Sequence, residues 1–271
     1  MKLHPNMNLD IRTQIAILYI CTGKYNQFFH EFYTSCERYF LVDQAINKQY
    51  FVWTDDVSLC NADNVHLIYH ACQGFPADSL FRFDMFLQKE NELCSYDYIY
   101  FFNANALFCQ PVGEEILPDD TGLVAAQWPG RTSQPALLYP YERNKQSKAY
   151  IAPFHPPYRY YMGGINGGTA KDYLAMAQIC ARNIRDDYDN GIIARFHDES
   201  HINKYLRSHP CKILSQEYCW PEEWPCQFTP KIIFRDKVKF DSYFNKGRDR
   251  SWWNKIKKIV TVLYDAIRWY L

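Results

Sequence analysis

The chain has 271 residues, 48% hydrophobic and 22% charged, and its 30 basic side chains are matched by 30 acidic ones. A formal net charge of +0 excludes bulk electrostatic attraction to nucleic acid, and the composition is that of a globular chain with a substantial core. No stretch supplies the roughly 20 continuous apolar residues of a membrane span, and the polar residues 1–13, with Pro5, lack the apolar region of a secretory signal.

A cytoplasmic protein is therefore expected. Its ten cysteines, none in a Cys-x-x-Cys arrangement, read as reduced small hydrophobes. Residues 14–20 (QIAILYI) form a continuous apolar run and predict a buried, parallel strand, followed by a Gly-bearing loop from Thr22 to Tyr25. Phe28, Phe32, Cys36 and Tyr39 or Phe40 then recur at helical spacing. Residues 49–54, 64–69 and 96–102 predict three more strands. Residues 78–93 predict one helix with Leu80, Phe83, Phe86 and Leu87 inward and Arg82 near its start. The alternation predicts an α/β fold with a mostly parallel sheet, in which ligands collect at the carboxyl ends of strands. Thr22 to Tyr25 and Asn103–Ala104–Asn105 occupy two such ends. Gly23 belongs to neither a GxGxxG nor a Walker loop, so dinucleotide and P-loop readings have no support.

Residues 123–128 predict another strand, and residues 129–157 a long surface loop of the kind that covers a site. The Gly-Gly pairs Gly163–Gly164 and Gly167–Gly168 read as a loop, either one that lets a ligand approach the backbone or a tight turn before a helix over 170–187. In FHDESHINKYL (196–206), His197, Asp198, Glu199, Ser200 and His201 are consecutive at the start of an amphipathic helix. Ser200 is the candidate cap, and Ile202, Tyr205 and Leu206 the buried face. Carboxylates at a helix start are favoured by the backbone dipole, but two flanking histidines exceed what capping needs. A metal site, a nucleophile and a decorated helix start all remain open on these residues alone.

Short apolar runs follow at 212–214 and 232–234, the second leading into Arg235, Lys237 and Lys239. The tail 248–271 differs from the rest. Trp252, Ile256, Ile259, Leu263, Ile267 and Tyr270 share one helical face, and Lys255, Lys257, Lys258 and Arg268 the other, after Arg248 and Arg250. Such a helix suits a membrane interface, or packing on the domain or on a second protomer. The expected division is a polar tail (1–13), one domain (14–247) and a basic amphipathic helix (248–271).

ILYICTGKY, YIYFFNANALF, GEEILP, YERN, AYI, YYMGGINGG, GIIARFHDESHINKYL and ILSQEYCW occur in that order. Together they resemble family 6 glycosyltransferases, the retaining enzymes that include the ABO blood-group transferases and bacterial relatives. The resemblance runs from about residue 15 to about residue 239 and implies a single GT-A-type domain. It implies a UDP-sugar donor, contacted at the uracil by the backbone of Ile20, Cys21 and Thr22 and by the ring of Tyr25. Arg82 would hold the donor sugar and phosphate. Glu199 would be the catalytic carboxylate at the anomeric carbon, oriented with the sugar by His197 and Asp198. Met162, Gly163 and Gly164 would set the choice between galactose and N-acetylgalactosamine, with Gly164 leaving room for an N-acetyl group. Arg235 and Lys237 would neutralise the diphosphate, with Lys24 beside them, while Trp128 and Trp220 would belong to the substrate-binding wall.

Two departures matter. Asn103–Ala104–Asn105 replaces the Asp-x-Asp of the mammalian enzymes, and neutral amides lack the carboxylate charge that hard cations lean on, so transfer without a metal cofactor is expected. Trp128–Pro129–Gly130–Arg131–Thr132 replaces a His-Pro-Gly-Phe-Tyr pattern, and Pro140 a threonine. These changes point away from a fucosylated galactose acceptor but keep a sugar hydroxyl on an oligosaccharide or glycolipid. The expected partners are thus the UDP-sugar, that acceptor and, through 248–271, a membrane surface. The competing readings are a metal hydrolase using His197 and His201, in which Asp198 stands where a zincin needs Glu, and an inactive glycan- or membrane-binding protein.

Overall fold

In a computed structural model, residues 12–43, 45–130, 135–245 and 252–270 are described. Arg131, Thr132, Arg248, Arg250 and the first eleven residues of the polar tail lie outside them. Strand β1 (Thr13–Ile20) is third in a seven-stranded sheet whose order is β3 (Val65–Tyr69), β2 (Ile46–Thr54), β1, β4 (Tyr98–Phe102), β7 (Tyr161–Thr169), β6 (Leu123–Gln127) and β8 (Lys212–Leu214). Its neighbours β2 and β4 run parallel to it, and β3 continues the parallel half. Both faces of β1 are buried, as its unbroken apolar run requires. Ile15, Ile17 and Tyr19 pack toward α1 (Phe29–Tyr39), and Ala16 and Leu18 toward the opposite helical layer. The aromatic surplus goes mostly into these layers, with Tyr19, Tyr50, Tyr100, Phe32 and Phe102 at 0% exposure.

The predicted helix over 78–93 is three short ones, α2 (Ala77–Leu80), α3 (Arg82–Leu87) and α4 (Glu90–Leu93). Phe81 and Lys89 leave the helical region at ψ 18 and 14. Phe81 meets Tyr188 edge-on at 5.1 Å, and Arg82 next to it enters the core. No proline or glycine marks either break.

The larger correction concerns the Gly-Gly segment. It is not a loop but strand β7 (Tyr161–Thr169), central in the sheet and antiparallel to both β4 and β6 (Leu123–Gln127). None of its glycines takes a left-handed φ. They are small because neighbours occupy the space: a Cβ on Gly167 would overlap the Tyr100 ring. Glycines spaced like a loop are here a strand squeezed between two others. Helix α5 (Ala170–Asp189) follows directly, capped by the Thr169 hydroxyl, which accepts from the Asp172 N–H at 3.2 Å.

Strand β5 (Ala106–Phe108), unpredicted, pairs antiparallel with β10 (Ile232–Phe234), which lies beside β9 (Trp220–Pro221) in a second small sheet; β8 (Lys212–Leu214) closes the first sheet beside β6. The predicted surface loop over 129–157 is partly tied down. Tyr139, Tyr141 and Ile151 are buried with Tyr160 and with Trp269 of α7 (Trp252–Tyr270). All ten cysteines are unpaired.

Candidate active site

Strands β1 and β4 end side by side, Tyr19 opposite Phe102, so the segments after them form one edge. Antiparallel β7 begins at that same edge, and the Asn103 N–H donates to the Gly164 carbonyl at 2.8 Å. Two adjoining compartments open there. The larger, about 370 Å³, is lined by Ile20, Thr22, Tyr25, Asn103, Ala104 and Lys237 among others. The smaller, about 140 Å³, is lined by Gly163, Gly164, His197, Asp198 and Glu199. Arg82, Asn103, Phe75 and Ser79 belong to both. The two strand ends marked from the sequence both border the larger compartment, through Thr22 to Tyr25 and through Asn103 and Ala104.

Helix α6 (His197–Tyr205) presents the acidic residues, but Ser200 is not its cap. Phe196 holds that position, and the Ser200 hydroxyl reaches back to accept from the Phe196 N–H at 3.0 Å. His197 takes a φ of 50, a left-handed conformation that costs a non-glycine residue of order 1–3 kcal/mol. That twist comes directly before the two carboxylates. Asn203 pins the helix to β7: its amide oxygen accepts from the Tyr161 N–H and its amide nitrogen donates to the Tyr161 carbonyl, both at 2.9 Å.

Both oxygens of Glu199 are held. The Tyr160 hydroxyl donates to one at 2.5 Å and the Gly163 N–H to the other at 2.6 Å. A side chain at Gly163 would not allow this approach, since its Cβ would stand 2.9 Å from the Glu199 Cβ. Burial pushes the Glu199 carboxyl up to about 7, against the pull of those two hydrogen bonds, while nearby Asp198 adds to the rise. Burial also raises Asp198, although Arg82 opposes it with a 3.0 Å ion pair. Arg82, 4% exposed, donates as well to the Gly163 carbonyl at 2.8 Å and lies over the Phe101 ring at 4.2 Å. Its Nε and Nη2 are buried without a partner. A guanidinium bordering both compartments fits a phosphate or carboxylate ligand.

The remaining predicted residues divide. Tyr25 lines the larger compartment beneath Lys237, whose Nζ lies 5.1 Å from its ring centroid. Lys24 lines it too and pairs with Asp241 at 3.0 Å. Cys21 is fully buried; its N–H bonds the Trp53 carbonyl at 2.9 Å. Thr22 gives its hydroxyl to Asp78 at 2.8 Å. Arg235 is not brought to either compartment. Its guanidinium pairs with Glu31 between the rings of Phe28 and Phe240, so the diphosphate role expected of it falls away. Asn105 faces inward likewise, donating to the Arg235 carbonyl at 2.7 Å and accepting from Asn103 at 3.2 Å.

Met162, Trp128 and Trp220 line neither compartment. Met162 is core, Trp128 packs between two core clusters, and Trp220 meets Trp224 and Phe228 edge-on at 5.9 and 4.9 Å. Gly164 does not open space for a substituent on the sugar: a Cβ there would meet the Phe234 ring at 2.7 Å and the Met162 methyl at 3.0 Å. His201 is 2% exposed, 3.6 Å from Asp187 and away from His197's compartment, with its titration pushed down to about 4 by burial. No group of three His, Cys, Asp or Glu among the described residues is placed to hold a metal ion, which removes the ground for the hydrolase. Tyr160 and Asn203 were missed. Tyr160 stands directly before β7, in a Tyr-Tyr pair that by itself reads as core.

Residues 3–242 match the sequence model of glycosyltransferase family 6. The chain is 34% identical over 246 residues to the O-antigen biosynthesis glycosyltransferase WbnI of Escherichia coli, covering 90% of this chain and 99% of that one. It is 29% identical over 244 residues to the human globoside alpha-1,3-N-acetylgalactosaminyltransferase 1, covering 86% and 68% of the two chains. With the rat histo-blood group ABO system transferase 2 the identity is 31% over 226 residues, covering 79% and 66%. A sheet whose strand ends border a cleft, a tethered carboxylate in that cleft, and this match over most of the chain agree: the protein is a member of glycosyltransferase family 6, with a GT-A-type fold, a sugar donor and a glycan acceptor.

Proposed function

We propose that the protein is a retaining α-1,3-glycosyltransferase that moves N-acetylgalactosamine or galactose from a UDP-sugar to a hydroxyl of a galactose-type glycan, without a divalent metal. The observation that carries this reading is the joint between the compartments. Arg82 borders both spaces with a guanidinium, and Glu199, gripped by Tyr160 and Gly163, borders the smaller one. The uracil is assigned to the larger compartment against Tyr25, the diphosphate to Arg82, Lys24 and Lys237, and the sugar to the smaller compartment. The bond from the anomeric carbon to the diphosphate oxygen breaks, and the diphosphate leaves with the electron pair. The acceptor oxygen takes its place, either directly from the same face or after Glu199 has held the sugar covalently, and the acceptor proton goes to the departing phosphate. An ionised carboxylate at that carbon stabilises the positive charge that develops there.

Metal independence rests on the donor set. Asn103 and Asn105 are neutral, and Asn105 is engaged on both sides by Arg235 and Asn103. With Gly164 closed off by Phe234, N-acetylgalactosamine is favoured by the names of the globoside relatives, the human and chicken ones among them. The E. coli relative's name favours a surface-saccharide acceptor.

The test supplies UDP-N-acetylgalactosamine and UDP-galactose with a panel of galactose-terminated acceptors, with and without EDTA. UDP release and an α-linked product, unaffected by chelation, are expected. Loss in EDTA with recovery in Mn²⁺ would overturn metal independence, a β-linked product would overturn retention, and silence with both donors would overturn the donor class.

Tyr160→Phe tests the grip on Glu199. The ring stays packed, but a donor to the ionised carboxylate is lost, so the acid limb of kcat/KM should move to higher pH. A limb that stays in place would leave Tyr160 a packing role alone.

A further inference from the structure

Helix α7 lies outside the residues matched to the family, and the transfer reaction as proposed makes no use of it. It is docked by a narrow edge. Trp269 and Ala266 are 2% and 5% exposed. The Trp269 indole N–H donates to the Ile151 carbonyl at 2.7 Å, Arg143 lies over its ring at 5.1 Å, and Asp265 pairs with Arg195 at 3.4 Å. The sequence left membrane contact and packing on the domain or on a second protomer as alternatives; this edge accounts for the packing on the domain.

Much of the predicted apolar face is not in that edge. Trp252, Leu263 and Ile267 are 65%, 50% and 61% exposed, and Trp253 and Val260, outside the predicted face, are 72% and 59% exposed. Phe154, 68% exposed, extends the patch onto the body of the domain through its 5.0 Å contact with Tyr270. Scattered exposed hydrophobics need no explanation, but a contiguous run along one helix does.

We infer that α7 is a membrane-surface helix, which lays this face into a bilayer containing anionic lipid. Charge selects that occupant. Residues 248–271 hold six Lys or Arg against two Asp or Glu, whereas the rest of the chain holds 24 against 28. A second copy docked helix to helix would bring the same positive excess to the contact and be repelled, while an anionic bilayer is attracted. Tryptophans at one end of the helix suit the headgroup region. No helix among the described residues is long and apolar enough to cross a membrane, so the helix lies on the bilayer and does not span it. Its docked edge packs in the cluster that contains Tyr160, which holds Glu199, so binding would also orient the cleft relative to the surface. The inference stands independently of the donor and acceptor proposed above.

The test is sedimentation of the full chain with vesicles of phosphatidylethanolamine and phosphatidylglycerol, against vesicles of phosphatidylcholine alone. The protein should pellet with the anionic vesicles, and less so as salt is raised. The triple variant Trp252→Ser, Trp253→Ser, Leu263→Ser should lower partitioning by about tenfold or more. Because its side chains are exposed, its melting temperature should stay near that of the parent. If that variant misfolds, Lys255→Glu, Lys257→Glu, Lys258→Glu gives the same reading through charge alone. Unchanged partitioning of the folded variants, equal binding to neutral vesicles, or no binding at all would overturn the inference. So would vesicle-free self-association of the parent that the same substitutions abolish, since a second copy would then be the occupant.

Discussion

Glu199→Gln is expected to lower kcat by about a thousandfold or more, equivalent to ~4 kcal/mol of barrier, while UDP affinity changes little. Glutamine keeps the shape. Its carbonyl oxygen can still accept from the Gly163 N–H, and the Tyr160 hydroxyl can rotate to accept from the new amide. What is lost is the negative charge facing the sugar compartment. Calorimetric titration with UDP beside a turnover assay separates the two effects, and turnover within tenfold of the parent would remove Glu199 from its role.

The same residue sets a pH dependence whose sign is fixed by its cause. Burial raises its carboxyl to about 7, so the useful ionised form appears only as pH rises through that value, and kcat/KM should climb with it. For stability the sign is reversed. Between the ordinary glutamate value and about 7, the unfolded chain has released a proton that the native chain retains. This group's contribution to stability therefore falls as pH rises across that window and is flat above it. The inactive Glu199→Gln chain should accordingly melt higher than the parent at alkaline pH.

Arg82→Met is expected to cost both stability and activity. The aliphatic chain can keep the contact with Phe101, but Asp198, 6% exposed, loses its 3.0 Å partner and is left as a buried charge. Removing one member of a buried pair costs about 3–5 kcal/mol, enough to lower Tm by roughly 10 °C. Adding Asp198→Asn removes the stranded charge and should recover part of the stability, with no return of transfer, because the donor phosphate still lacks its guanidinium. Recovery of turnover along with Tm would make Arg82 a structural residue.

The sequence by itself determined the alternation of strands and helices, the strand ends that form the cleft, and the motif that carries Glu199. Each of these is a local property: an apolar run such as 14–20 must be buried on both faces wherever it goes, and residues 197–199 start a helix whatever lies opposite. Its errors came from contacts between distant segments. Glycines 163–168 looked like a loop because spacing along the chain does not reveal that the Tyr100 and Phe234 rings and the Glu199 side chain fill the space their own side chains would need. Arg235 looked like a phosphate ligand until Glu31 and two phenylalanines enclosed it. The hydrogen bonds that define the site join residues 39 positions apart for Tyr160 and Glu199, and 81 apart for Arg82 and Gly163. Tertiary structure alone decided which oxygen of Glu199 each donor grips, which basic residues reach the cleft, and which face of α7 is left uncovered. Those outcomes depend on distant segments meeting at hydrogen-bond distance, and periodicity along the chain holds no record of such meetings.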